Sequence, residues 1–111
     1  MDIHDPALIN RDTQSELAQE LGRERFDGLV ARFLDQLTEQ MQEIGQALAE
    51  TDPARARRVA HGIKGAAGNL GFCGVQAAAH LAEKALQDGE DAGIALADLQ
   101  AVILRTRASR A

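Results

Sequence analysis

His61 sits in the stretch RRVAHGIKGAAGNLG, residues 57 to 71, with Arg57 four residues before it, Lys64 three residues after it, and glycines at positions 62, 65, 68 and 71. An imidazole is the side chain that exchanges protons near neutral pH, and an unprotonated ring nitrogen can take a phosphoryl group there. Cations within a helical turn can balance the negative charge that such a group brings. Glycine costs a helix interior roughly 1 kcal/mol relative to alanine, so four of them in an alanine-rich segment need a reason. Either another helix packs closely there or another molecule approaches closely.

A helical projection at about 100° per residue separates these residues into faces. Val59, Ile63, Ala66, Ala67 and Leu70 fall in one apolar arc that must face a core, which leaves His61 pointing to solvent. Arg57, Lys64, Gly65 and Gly68 share the histidine's face, while Gly62 and Asn69 lie on a flank and Gly71 ends the helix. Gly65 and Gly68 therefore remove side chains beside the imidazole and leave bare backbone that a partner can approach. Most surface histidines have no chemical role, but glycines turned away from the apolar arc count against that reading here. A hydrolase would need a concave pocket with further polar groups, and a convex helix face supplies neither.

Gln76, His80, Glu83 and Gln87 form a second polar stripe, on one shoulder of a later apolar helix. Such a stripe is placed to border the histidine's helix or to lie in solvent. A zinc site made from His61, Cys73 and His80 lacks a fourth ligand and any recognisable ligand spacing, so no metal is expected.

The elements that carry these stripes are helical. TQSE at Thr13 to Glu16 has the form of a capping box, with Leu17 and Leu21 following before Gly22 as a C-terminal cap. From about residue 24 to 49, Phe26, Leu29, Val30, Phe33, Leu37, Met41, Ile44 and Leu48 recur at spacings of three and four, which predicts the longest helix. TDP at Thr51 to Pro53 offers a polar cap and a proline at the first position of the next helix, which runs to about Gly71. GFCG then reads as a turn, and Val75, Ala78, Ala79, Ala82 and Leu86 mark a fourth helix closed by Gly89. Leu96, Leu99, Val102 and Ile103 mark the last one. Short connections predict an all-α antiparallel up-down four-helix bundle with a short additional N-terminal helix. The expectation is a single domain over residues 1–111, frayed over 1–11, where His4 lies, and over 106–111.

With 111 residues the chain suits one domain with a modest core, and its 3% of aromatic residues means that the core is built from aliphatic side chains and alanine. A net charge of −5 argues against nucleic acid as a partner. No apolar run approaches the length of a membrane span, and the single cysteine, Cys73, suits a reducing compartment, so a cytoplasmic protein is expected.

AHGIKGAAGNLG resembles the signature of histidine-containing phosphotransfer (HPt) domains, which reads Ala-His, one residue, Leu or Ile, Lys-Gly, five residues, Gly. Ala60, His61, Ile63, Lys64, Gly65 and Gly71 match it, and the helix spacing resembles that family from about residue 12 to 105. Gly62 departs from it, standing where the family often has a larger residue. The resemblance implies a phosphoryl carrier in a two-component phosphorelay rather than a stand-alone enzyme. His61 would accept the group from an aspartyl phosphate on one receiver domain and give it to another, with Lys64, and Arg57 as a further candidate, balancing charge. Glu83 would accept a hydrogen bond from the ring nitrogen that stays protonated, and Gly65, Gly68, Gln76 and His80 would border the partner. The implied partners are response-regulator receiver domains, which bring the Mg²⁺, and a hybrid sensor histidine kinase, with the carrier itself needing no cofactor and expected as a monomer. The rival reading is an adaptor bundle that binds a receiver or kinase without taking phosphate.

Overall fold

The computed structural model describes residues 8–110 and folds them into α1 (Arg11–Leu21), α2 (Arg23–Ala49), α3 (Pro53–Leu70), α4 (Cys73–Gln87) and α5 (Gly93–Ser109), with no strand among the described residues. The most extensive helix contact is between α3 and α4; α2 packs on α3, α5 packs on α4, and α2 and α5 meet over a smaller area. α1 rests on α2 and touches α3 without burying any residue fully.

α2 supplies the longest apolar stripe, burying Phe26, Val30, Phe33, Leu37 and Ile44. Leu29 and Met41 lie at its margins, and at the last turn Ala47 takes the buried place while Leu48 stays exposed. The two positions compete because both continue a three-and-four spacing from Ile44. The chain reversal decides between them, since the Asp52 N–H bonds the Ala47 carbonyl at 2.8 Å and draws that side of α2 inward.

The first helix begins earlier than its capping box suggests. Asn10 caps it, its side chain accepting from the Thr13 N–H at 3.1 Å, so Thr13 and Glu16 lie within the helix. Asparagine offers the same capping chemistry three residues upstream, and the preceding Leu8 and Ile9 are buried, which fixes the entry of the chain. The Asn10 N–H also bonds the Gly71 carbonyl at 2.8 Å, and Gln14 Nε2 donates to the Leu70 carbonyl at 3.0 Å. Residues 8–11 are therefore held rather than frayed; the rest of the expected N-terminal fray, with His4, lies outside the described residues.

The expected fraying from residue 106 is also corrected. Thr106 is fully buried, and the Arg107 guanidinium donates to the Leu34 carbonyl at 2.5 Å and to Thr38 Oγ1 at 2.8 Å, pinning α5 to α2 as far as Ser109. A basic tail reads as solvated in sequence, but a guanidinium can span a groove to carbonyls that no carboxylate marks.

GFCG holds a core residue rather than a plain turn. Gly71, at φ +81°, ends α3 in the left-handed conformation, its N–H bonding the Gly68 carbonyl while the Phe72 N–H bonds the Ala67 carbonyl. This is a Schellman motif, in which the residue after the glycine turns inward. Phe72 is fully buried and stacks on Phe33 with ring centroids 5.1 Å apart. α2 ends with the same pair of bonds, Thr51 N–H to Leu48 and Asp52 N–H to Ala47, but the left-handed position is held by Thr51 at φ +58°. A β-branched residue is strained there. Asp52 then caps α3 by accepting from the Arg55 N–H, and Pro53 opens the helix. Thr51→Gly is expected to stabilise the fold by up to about 1 kcal/mol, the relief of strain exceeding the entropy that glycine adds to the unfolded chain; a higher urea midpoint at unchanged slope would register it.

Candidate functional site

The buried line of α3 runs through Ala56, Ala60, Ile63 and Ala67, with Val59, Ala66 and Leu70 half-buried beside it. The apolar arc is thus rotated toward Ala56 and Ala60 from the one projected around Val59 and Leu70. His61 remains on the outside, with 67% of its side chain exposed. Facing α3, α4 buries Val75, Ala78, Ala79, Ala82 and Leu86 and turns Glu83 toward the histidine.

Glu83 is the hinge of the site. Its Oε2 lies 2.5 Å from His61 Nδ1 and its Oε1 lies 2.6 Å from Lys64 Nζ, so one carboxylate holds both of these α3 side chains. Only 15% of the Glu83 side chain is exposed. Its pKa is held below the ordinary value of 4.5, first by the hydrogen bond from Lys64, against burial, which pushes it up, and with a further lowering from the His61 hydrogen bond and the charges of both partners. A carboxylate so held carries no proton, so the proton in the short contact belongs to Nδ1. In the neutral ring this leaves Nε2 as the nitrogen with a free lone pair.

The remaining expected residues divide. Gln76 lies over α3, its amide where a Cβ on Gly68 would stand: that Cβ would meet Gln76 Nε2 at 2.7 Å. Gly68 is accordingly not part of an open gap. Gly65 is, since a Cβ there would meet nothing within 4 Å, and the same holds for Gly62, which was placed on a flank. The bare backbone beside the imidazole is thus Gly62 and Gly65. His80 is exposed on α4 and Arg57 half-buried on α3. Arg57 makes no ion pair among the described residues, whereas its neighbour Arg55 reaches Glu43 and Glu50. The described residues gather no cluster of three metal-binding side chains.

Sequence reasoning left Lys64 on the phosphoryl group and Glu83 on the ring; it missed that the two join each other. The signal was present, because Lys64 follows His61 by three residues and so stands on the same face one turn along. Any acid on the facing helix that reaches one is within reach of both.

The bundle displays an exposed histidine, oriented by a carboxylate, beside cleared backbone. The model of the Hpt domain family matches residues 28–109, well over half of the chain, and the chain belongs to that family. Against curated proteins the chain has no match. Hpt domains are phosphocarriers of two-component phosphorelays rather than classical enzymes, and they work with partners such as receiver domains and kinases. No helix among the described residues is long and apolar enough to cross a membrane.

The lowered Glu83 pKa fixes the sign of a pH effect. Ionised Glu83 contributes stability that is complete above the unfolded value near 4.5 and is lost as pH falls through the lower folded value. Urea denaturation of the parent and of Glu83→Gln between pH 7 and pH 3 is expected to show a stability difference that holds down to about 4.5 and shrinks below it.

Proposed function

We propose that His61 is the phosphoryl acceptor of this chain and that the reacting atom is Nε2. The observation that carries the reading is the 2.5 Å contact of Nδ1 with Glu83, which fixes the ring while leaving 67% of the side chain exposed. The donor is the aspartyl phosphate of one receiver domain and the recipient an aspartate of another, with a hybrid sensor histidine kinase upstream. The Nε2 lone pair attacks phosphorus, the N–P bond forms as the P–O bond breaks, and the aspartate departs as a carboxylate. The ring then keeps its proton on Nδ1 and carries a positive charge, which the adjoining Glu83 carboxylate balances, as an acid partner does for an imidazolium in other nucleophilic sites. Transfer in the other direction retraces these steps.

Lys64 acts through Glu83: by holding Oε1 it keeps the carboxylate ionised and aimed, and it offsets the negative charge beside the incoming group. α3 has no acidic residue of its own, and of its four cations Arg55 and Lys64 are paired with acids of other helices and connections while Arg57 and Arg58 are in no ion pair among the described residues, so the histidine's helix keeps unpaired basic charge within a chain of net charge −5. Such a face attracts the acidic pocket of a receiver, which supplies the Mg²⁺ for transfer. Arg57 belongs to that attraction, and Gln76 and His80 to the rim where the partner rests. We read the protein as a cytoplasmic monomer whose α2 to α5 alternate in direction.

His61→Gln is expected to abolish acquisition of an acid-labile, base-stable phosphoryl group from a phosphorylated receiver domain while leaving the melting temperature nearly unchanged, since the ring is exposed. Label on that variant would overturn the assignment, and a parent chain that binds the receiver but never takes label would establish the adaptor reading instead.

Gly65→Leu is expected to keep the fold, because the space beside Gly65 is open, and to slow transfer on the order of 100-fold by displacing the arriving aspartate by about 1 Å. Rapid-quench transfer rates alongside thermal melts check both halves.

A further inference from the structure

A second surface lies between α4 and α5. Leu81, 59% exposed, and Ile94, 80% exposed, are the two most exposed large apolar side chains described, and both line one groove of about 660 Å³ between these helices. Ala77, Ala101 and Val102 line the same groove. Leu81 is at i−2 from Glu83, so its side chain leaves α4 on a different face from the one that holds His61. Isolated exposed leucines need no explanation, whereas here two exposed apolar side chains share one groove between two helices.

The rim decides the occupant. Asp88, Glu90, Asp91 and Asp98 border the groove against two cations, Lys84 and Arg105. None of these six side chains is in an ion pair among the described residues; Asp91 alone has a named hydrogen bond, from the Gly93 N–H at 2.9 Å. The carboxylates are therefore available to an incoming cationic partner. The same charge repels an anionic lipid surface or a nucleic acid, and it works against a second copy, whose groove has the same excess of carboxylates. On α4 the groove runs from Gly74 to Asp88, a length of roughly 20 Å at 1.5 Å per residue, which suits about four turns of helix.

We propose that the α4–α5 groove docks a basic amphipathic helix of a partner polypeptide. Apolar side chains of that helix at i, i+3, i+4 and i+7 cover Leu81 and Ile94, and its lysines or arginines meet Asp88, Glu90, Asp91 and Asp98. The site is independent of phosphoryl transfer and stays open when a receiver occupies the His61 face.

The probe is a fluorescein-labelled 14-residue helix with leucines at i, i+3, i+4 and i+7 and lysines elsewhere, with a scrambled peptide of equal composition as control. Fluorescence anisotropy and amide chemical-shift mapping on the full chain read binding and its place. The expected result is binding of the amphipathic peptide at least tenfold tighter than of the scrambled one, with shifts confined to α4 and α5. Leu81→Glu and Asp98→Lys should each weaken it at least tenfold with unchanged melting temperature, and His61→Gln should leave it unaltered. Equal binding of the scrambled peptide, shifts centred on α3, or insensitivity to both groove variants would overturn the proposal. So would self-association of the unliganded chain that Leu81→Glu abolishes, which would assign the groove to a second copy.

Discussion

Everything at the site depends on how closely α3 and α4 approach. The buried face of α3 is Ala56, Ala60, Ile63 and Ala67, and that of α4 includes Ala78, Ala79 and Ala82, so the seam between them is built largely from methyl groups. Helix separation follows the size of the side chains at the contact. A seam of leucines would hold the helices further apart, and a side chain as short as glutamate would then not bridge them. Glu83 reaches both His61 and Lys64 because alanine spacing leaves it little distance to cover. The end of the seam is fixed as well: the Schellman turn at Gly71 seats Phe72 against Phe33, and Asn10 and Gln14 tie the N-terminal segment to the Gly71 and Leu70 carbonyls.

This arrangement resolves a conflict that any exposed reactive side chain faces. A histidine open to a partner on most of its surface has rotamer freedom to lose before it can react, and that loss raises the barrier unless it has been met in folding. The Nδ1 contact with Glu83 restricts the ring from below and leaves Nε2 outward. Glu83 would be a poor anchor if it moved or took up a proton, and Lys64 prevents both by holding its other oxygen. The three side chains form one unit in which a half-buried ion pair steadies an exposed imidazole.

The sequence carried the helices because their stripes repeat over many turns, and it carried His61, Lys64 and Glu83 as members of the right faces. It failed where a contact between distant segments overrides a local pattern. Asn10 took the cap from Thr13 because Leu8 and Ile9 had somewhere to be buried. Phe72 looked like turn because a single aromatic has no period, although a large apolar residue directly after a helix-ending glycine is itself a signal of inward packing. Gly68 and Gly62 exchanged roles for a similar reason. A helical projection gives the direction of each Cβ but not what α4 lays across it, and only the fold places the Gln76 amide over Gly68 while leaving Gly62 and Gly65 clear.

The charges of the bundle are sorted by face, and this separates its two surfaces energetically. α3 has four cations and no acid of its own, with Arg57 and Arg58 outside any ion pair among the described residues, while the α4–α5 groove carries four carboxylates and two cations. Surfaces of opposite charge on different faces of one bundle favour partners of opposite charge at each and disfavour the reverse pairing. Glu83 sets an acid directly beside the histidine. Its bond to Lys64 offsets that charge, because the pair has no net charge while the carboxylate still orients the ring. The residue that orients the imidazole thereby adds no net charge beside it.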